Sequence, residues 1–233
     1  MFGKKIVNVL SNRVIFLSIL LIVVIIVMSL LSPYFFQWNN MVTMSRLGAA
    51  LALIGIGQAL VILGGGAGID LSVGSIISLS GVLLGFLVKA GVNVWLAAFL
   101  TVIIGCLLGT VNGFTVAKLN LPPLIATLGT NYAFGALALV LTKGLPISGF
   151  PEEFSFIANA KILGLPTQIA LIVIPIFLIS VFVTRRTRFG RNTYLIGVND
   201  QAAQFSGIQV KQHRFILYVV NGGLASTLSK LNL

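Results

Sequence analysis

Two polar stretches, each with one of the chain's two aspartates, stand out in an otherwise apolar chain as places where side chains could do chemistry: GGGAGIDLSVGS at 64–75 and NDQAAQFSG at 199–207. The first sets Asp70 and Ser72 between two apolar runs, where an ionisable group marks either a solute path or a helix cap. Two readings of it therefore stand side by side. In one, Gly68, Asp70, Ser72 and Gly74 line a bend that meets a translocated solute. In the other, the stretch is a tight turn whose Asp caps the helix beginning there. Among the other polar groups inside apolar runs, Asn112 either bonds across helices, the favoured reading, or touches a polar solute, and Thr127 and Thr130 either bond their own backbone, as such residues more often do, or line a pathway. His213 stands among Lys211, Gln212 and Arg214 and is expected at a solvated or interfacial loop edge, with no second ligand near enough for a metal. There is no G-x-x-x-x-G-K-[ST] stretch to cradle a triphosphate, no metal-ligand cluster and no nucleophile–base pair. The pattern argues against an enzyme, and no cofactor is expected.

The elements that must position these groups are set by composition. The chain has 233 residues, 58% of them hydrophobic and 8% charged, against about 25% charge in a soluble domain. Its mean hydropathy is +1.08. Apolar runs approaching the ~20 residues needed to cross a bilayer occur at Val14–Leu31, Leu47–Gly64, Val73–Val88, Val94–Ala117, Leu124–Thr142 and Thr167–Val183, and another begins near Phe215. The expected fold is all-α: a polytopic transmembrane helical bundle with about six complete spans plus a partial seventh, forming one membrane domain over 1–233. Span 73–88 covers only ~24 Å at the helical rise per residue, and short, glycine-interrupted segments of this kind point to a transport site. Gly105, Gly109 and Gly113 recur every fourth residue, so they share a helix face that admits a close neighbour. Pro122 and Pro123 suit the start of a span, where a missing N–H costs least. Cys106, the single cysteine, lies within a span as a small packing residue, so no disulfide can form within the chain.

The net charge of +11 does not indicate nucleic acid. With the N-terminus in the cytoplasm and the spans alternating, the inner side carries Lys4, Lys5, Arg13, Lys118, Arg185, Arg186, Arg188, Arg191, Lys211 and Arg214, and the outer side Arg46, Lys89, Lys143 and Lys161. That bias is the positive-inside pattern. The run TRRTRFGR is then a topological anchor beside anionic headgroups. The first apolar run ends without a small-residue cleavage site, so it reads as a retained anchor, not a signal peptide.

In DQAAQFSGI, the order Gln201, Ala202, Ala203 and then Gly207 resembles the E-A-A-x-x-x-G loop of ABC importer permeases, with Gln in place of the first Glu and Asp200 just before it. Alanines favour a short helix, and a glycine can end it in a left-handed conformation. GGGAGIDLSVGSIISLSG, GTVNGFTVAKLNLPPLIATLGT and TRFGRNTYLIGVNDQAAQFSGI follow in an order similar to the ribose-type, simple-sugar permeases of bacterial ABC importers, over about residues 45–228. The branched-chain amino-acid permeases of the same superfamily carry a different version of GIDLSVG.

The resemblance implies a permease subunit of the bacterial inner membrane that pairs with a second permease copy, homo- or heterodimeric. It further implies two ABC ATPase subunits on the cytoplasmic face, an extracytoplasmic solute-binding protein and a sugar-like substrate. By the same resemblance, Gly190, Gly197, Asn199, Asp200, Gln201, Ala202, Ala203 and Gly207, within loop 184–214, dock the ATPase, while Gly68, Asp70, Ser72 and Gly74 belong to the translocation path. Loop 143–166, with Glu152 and Glu153, is a candidate contact for the binding protein. Family members continue for several more helices, so the chain is expected to be a fragment or a truncated form. The alternatives are an ATP-independent secondary transporter or channel, and a nonfunctional remnant.

Overall fold

The computed structural model describes residues 13–147, 160–162 and 165–229; most of the candidate binding-protein loop, Glu152 and Glu153 included, lies outside them. Among the described residues nine α-helices run in order: α1 (Arg13–Leu31), α2 (Trp38–Leu63), α3 (Val73–Lys89), α4 (Val94–Gly113), α5 (Pro123–Thr142), α6 (Ile174–Arg186), α7 (Arg188–Val198), α8 (Asp200–Phe205) and α9 (Val210–Leu228). The chain divides into two compact units, Met1–Ser45 and Arg46–Leu233. In the first unit, α1 is apolar along its whole length and buries none of its residues, which suits a helix whose solvent is lipid.

Among the described residues five helical segments are long and apolar enough to cross a membrane, and Val73–Lys89 is a shorter apolar helix. The chain is a multi-pass helical membrane protein. Two expected spans differ locally. The run 94–117 continues past α4 as a π-helical turn, Phe114–Lys118. The run expected from Thr167 follows a two-residue strand pairing (Lys161↔Pro166, Ile162↔Leu165) and opens as a π-helical turn at Ile169–Val173 before α6, the two together making one candidate span, Ile169–Arg186. Pro175 lies in the first turn of α6, directly after the π-helical turn; with no N–H to donate, it interrupts the ladder where the two helical forms join. Residues 38–46, too polar to count as a span, extend α2 by more than two turns.

The second unit is built around α9, which lies in the glycine groove of α4. A Cβ on Gly109 would sit 3.1 Å from the Val219 Cα and 3.2 Å from the Gly222 Cα, and one on Gly113 2.8 Å from the Phe215 carbonyl oxygen. A Cβ on Gly222 would in turn meet the Gly109 Cα at 2.8 Å. The two backbones therefore touch directly, the small-residue contact that substitutes for a hydrophobic driving force inside a bilayer.

The loops sort as alternating spans require. The turn 64–68, the segment 116–123 and the α9 start surround common cavities at one end. Residues 144–147 and Ser229 surround another, with Gly81 and Thr142. So α9 runs from one end of the unit to the other.

Candidate functional site

Asp70 is 1% exposed and joins helices that are far apart in sequence. Its Oδ1 accepts from the Ser72 amide at 2.9 Å and the Ser72 hydroxyl at 2.7 Å. Its Oδ2 accepts from the Asn221 Nδ2 at 2.8 Å, which brings in α9. The Asn112 Nδ2 of α4 donates to the Ser72 hydroxyl at 2.6 Å and lies 3.4 Å from Asp70 Oδ1. The Thr130 hydroxyl of α5 donates to the Asn112 Oδ1, and the Gln58 amide of α2 donates to the Asp70 carbonyl at 2.8 Å. A buried carboxylate stripped of water needs such donors, and here every one of them is a neutral protein group. Ser72 holds the N-cap position of α3 but makes no side-chain cap bond. Asp70 thus bonds the Ser72 amide at the head of α3 and, beyond that local contact, ties together a five-helix clamp.

The other polar groups fall into place around it. Asn112 bonds across helices, as expected. The Thr127 hydroxyl bonds its own helix at Pro123 (2.8 Å) and also accepts from the Leu71 amide at 3.1 Å. Of the four translocation-path candidates, Asp70, Ser72 and Gly68 are buried, while Gly74 is exposed with open space beside it. Gly68 also lines a cavity of ≈ 230 Å³, together with Gly65, Asn120, Pro122, Arg214 and Tyr218. The Tyr218 hydroxyl is buried without a hydrogen-bond partner. Asn120, Arg214 and Tyr218 carry no local sequence signal; only the return of α9 to this end brings two of them here.

The second polar stretch folds as a compact corner. Thr187 caps α7, its hydroxyl accepting from the Gly190 amide at 3.3 Å. Asn199 caps α8, its side chain accepting from the Ala202 amide at 3.0 Å. Gly207, at φ +84°, ends α8: its amide bonds the Gln204 carbonyl at 3.0 Å and the Ile208 amide bonds the Ala203 carbonyl at 3.1 Å, the paired bonds of a Schellman motif.

The eight docking candidates divide by environment. Gly190 and Ala203 are buried, and Gly197 backs onto the Leu63 carbonyl at the end of α2. Asp200 pairs with Arg214. Gln201 and Ala202 are exposed. Two apolar residues that the motif does not single out stand out beside them, Val198 at 86% and Phe205 at 91% exposure.

His213 departs from expectation. It is buried, stacked on Phe189 with ring centroids 4.2 Å apart, and its Nε2 lies 2.8 Å from the Thr193 hydroxyl. The helix α7 folds back over it, which no local pattern announces. Burial lowers its pKa from the ordinary value by penalising the charged ring. The unfolded chain then takes up the proton first, so stability is full above about pH 6.5 and falls as the pH drops below it. Melting temperature in detergent is expected to decline between neutral and mildly acidic pH, and His213→Gln to flatten that slope. An unchanged slope in the variant would place the titrating group elsewhere. Among the described residues no cluster of His, Cys, Asp or Glu could hold a metal.

Sequence comparison places the chain among known transport proteins. The chain is 39% identical over 219 residues to the D-allose transport system permease protein of Escherichia coli (strain K12), covering 92% of this chain and 66% of that protein. It is 38% identical over 208 residues to the ribose import permease protein of Bacillus subtilis (strain 168), covering 88% and 64%. It is 34% identical over 222 residues to the autoinducer 2 import system permease protein of Enterobacter sp. (strain 638), covering 92% and 66%. The chain thus spans about two thirds of the length of these relatives. No solved structure matches it. The family described as "branched-chain amino acid transport system / permease component" matches residues 40–228, a stretch that takes in the Asp70 clamp, the α7–α8 corner and the whole of α9, and the chain belongs to that family.

Proposed function

We propose that this chain is a permease subunit of an ATP-driven importer in the bacterial inner membrane, carrying a monosaccharide or a related small polar solute. The relatives named for allose, ribose and autoinducer 2 support the substrate class. The observation that carries the reading is the packing of the α7–α8 corner on the turn that leads to Asp70: a Cβ on Gly65 would lie 3.0 Å from both the Gly197 Cα and the Ile196 carbonyl. A force applied at that corner reaches the buried clamp through contiguous backbone.

In the mechanism, ABC ATPase subunits grip the corner from the cytoplasm, a second permease copy completes the path, and an extracytoplasmic solute-binding protein delivers solute to the opposite face. ATP binding moves α8, and the helices joined at Asp70 switch between outward-open and inward-open arrangements. Gln201, Ala202, Phe205 and Val198 supply the exposed docking surface, with the two apolar side chains as its anchors. The buried Gly190 and Ala203, with Gly197 backed onto the Leu63 carbonyl, shape the corner, and Asn199, Asp200 and Gly207 hold the helix. Gly68, Asp70, Ser72 and Gly74 belong to the path, with Asp70 exposed to solute only when the clamp parts.

Gly207→Asp tests the docking corner. It forces an L-residue into the left-handed region at a cost of about 1 kcal/mol and puts a negative charge against the negative end of α8. ATP-dependent uptake of D-ribose or D-allose by vesicles carrying the assembled importer is expected to be abolished, while insertion of the variant in the membrane is unchanged. Normal uptake would remove the docking assignment. Uptake by the wild type that follows an ion gradient and ignores ATP would move the protein to the secondary transporters.

A further inference from the structure

We propose that Arg214 is the positioning residue that straps the docking helix α8 to the glycine turn ahead of Asp70; the inference rests on the proposed function and names the side chain that links α8 to the turn, beside the α7 backbone packed on Gly65. Arg214 stands in the second turn of α9. Its Nη2 donates to both carboxylate oxygens of Asp200, at 2.6 Å to Oδ1. Its Nε donates to the Gly64 carbonyl at 3.1 Å. One planar group therefore holds the first residue of α8 and one of the last carbonyls of α2, which the end of a helix leaves without an internal partner.

The turn is moulded to that group. Gly65 and Gly66 take φ values of +73° and +65°. A Cβ on Gly66 would lie 2.6 Å from the Arg214 Nη2 and 2.8 Å from its Cζ. The backbone of the turn thus lies flat on the guanidinium, and four residues further on stands Asp70. A displacement of α8 must either break the Asp200 contact or drag the guanidinium, and with it the turn. Lysine would not substitute, because an ammonium is a point charge without the two-directional fork.

The ion pair is half open to solvent, with side-chain exposures of 20% for Arg214 and 41% for Asp200. Pairs of this kind add little to stability. Their geometric effect is separable from it: Asp200 and Gly64 are held by different nitrogens of one rigid plane.

Amide hydrogen exchange of the full chain in lipid nanodiscs reads the strap directly, with Gly207→Asp as the disturbance applied to α8. In protein carrying Arg214, that disturbance is expected to raise exchange at residues 65–70 about fivefold, the scale of one such contact. In the Arg214→Lys background, exchange at 65–70 starts higher and no longer responds. In the Asp200→Ala background, Arg214 still holds Gly64, so exchange starts near the wild-type level and again does not respond.

A response of equal size in all three backgrounds overturns the strap, as does no response in the first. A merely structural Arg214 would change the starting level and leave the response intact. Co-purification of the wild type with an ABC ATPase is scored separately, so loss of the importer reading and loss of the strap are told apart.

Discussion

Gly109→Val is expected to lower the melting temperature of the detergent-solubilised protein by about 10 °C, from a cost of about 3 kcal/mol for an overpacked interface at roughly 3 °C per kcal/mol for a chain of this size. At Gly109 the α4 backbone is in van der Waals contact with α9, and a Cβ there runs into the Tyr218 carbonyl oxygen and lies 3.1 Å from the Val219 Cα. None of these is the end of a flexible side chain that could swing away, so the helices must separate. Separation exposes the neighbouring seats at Gly105 and Gly113 as well, and it pulls Asn221 away from Asp70. Gly55→Ala in α2 is the control. A Cβ there meets nothing within 4 Å, and relief of a helical glycine is worth up to about 1 kcal/mol in the stabilising direction. Size-exclusion melting curves of the two variants should therefore move apart. Equal curves would mean that α9 does not sit in the α4 groove.

Asp70→Ala is expected to cost about 3 kcal/mol, because it leaves three close donors without acceptors in a site shielded from water, at roughly 1 kcal/mol or more each. Those donors are the Ser72 amide, the Ser72 hydroxyl and the Asn221 amide group. Asp70→Asn is expected to fall between wild type and alanine, since its amide oxygen still accepts while its NH₂ faces a donor. The Asn221 carboxamide cannot easily turn to compensate: its Oδ1 already lies against Gly57 of α2, in the space a Cβ would need. The same variants separate two roles of the carboxylate. If Asp70 only clamps the helices, uptake should follow stability across the Asn and Ala variants. If it also meets solute, Asp70→Asn should lose uptake beyond its loss of stability. Melting curves and uptake measured on the same preparations decide between them.

Much of this was legible in the residues alone. Apolar runs fix where helices lie, because in lipid the backbone must satisfy its own hydrogen bonds, and α1, α4 and α5 fall close to their expected limits. Glycines four apart announce a close-packed face whatever packs on it, and α4 uses all three of them. Local signals also hold at helix ends. Pro123 opens α5, and Gly207 closes α8 with the left-handed turn that glycine permits. These features depend on neighbours within a turn or two along the chain, and a linear pattern contains them in full.

Tertiary structure alone decided which polar groups meet. Asp70 and Asn221 are 151 residues apart, and their contact depends on the depth and rotation of α3 and α9. Hydropathy does not encode either quantity when a helix is apolar on every side. His213 looks solvated beside Lys211 and Arg214, yet the return of α7 buries it. Phe205 is a large apolar side chain, yet the corner turns it outward. Arg214 counts in sequence as one more positive charge on one side of a membrane, and only the folding of α8 and the glycine turn around one guanidinium gives it a particular task. The physical reason is common to all four: lipid selects helices by their average polarity, whereas the pairing of individual polar atoms is set by packing between segments distant in the chain.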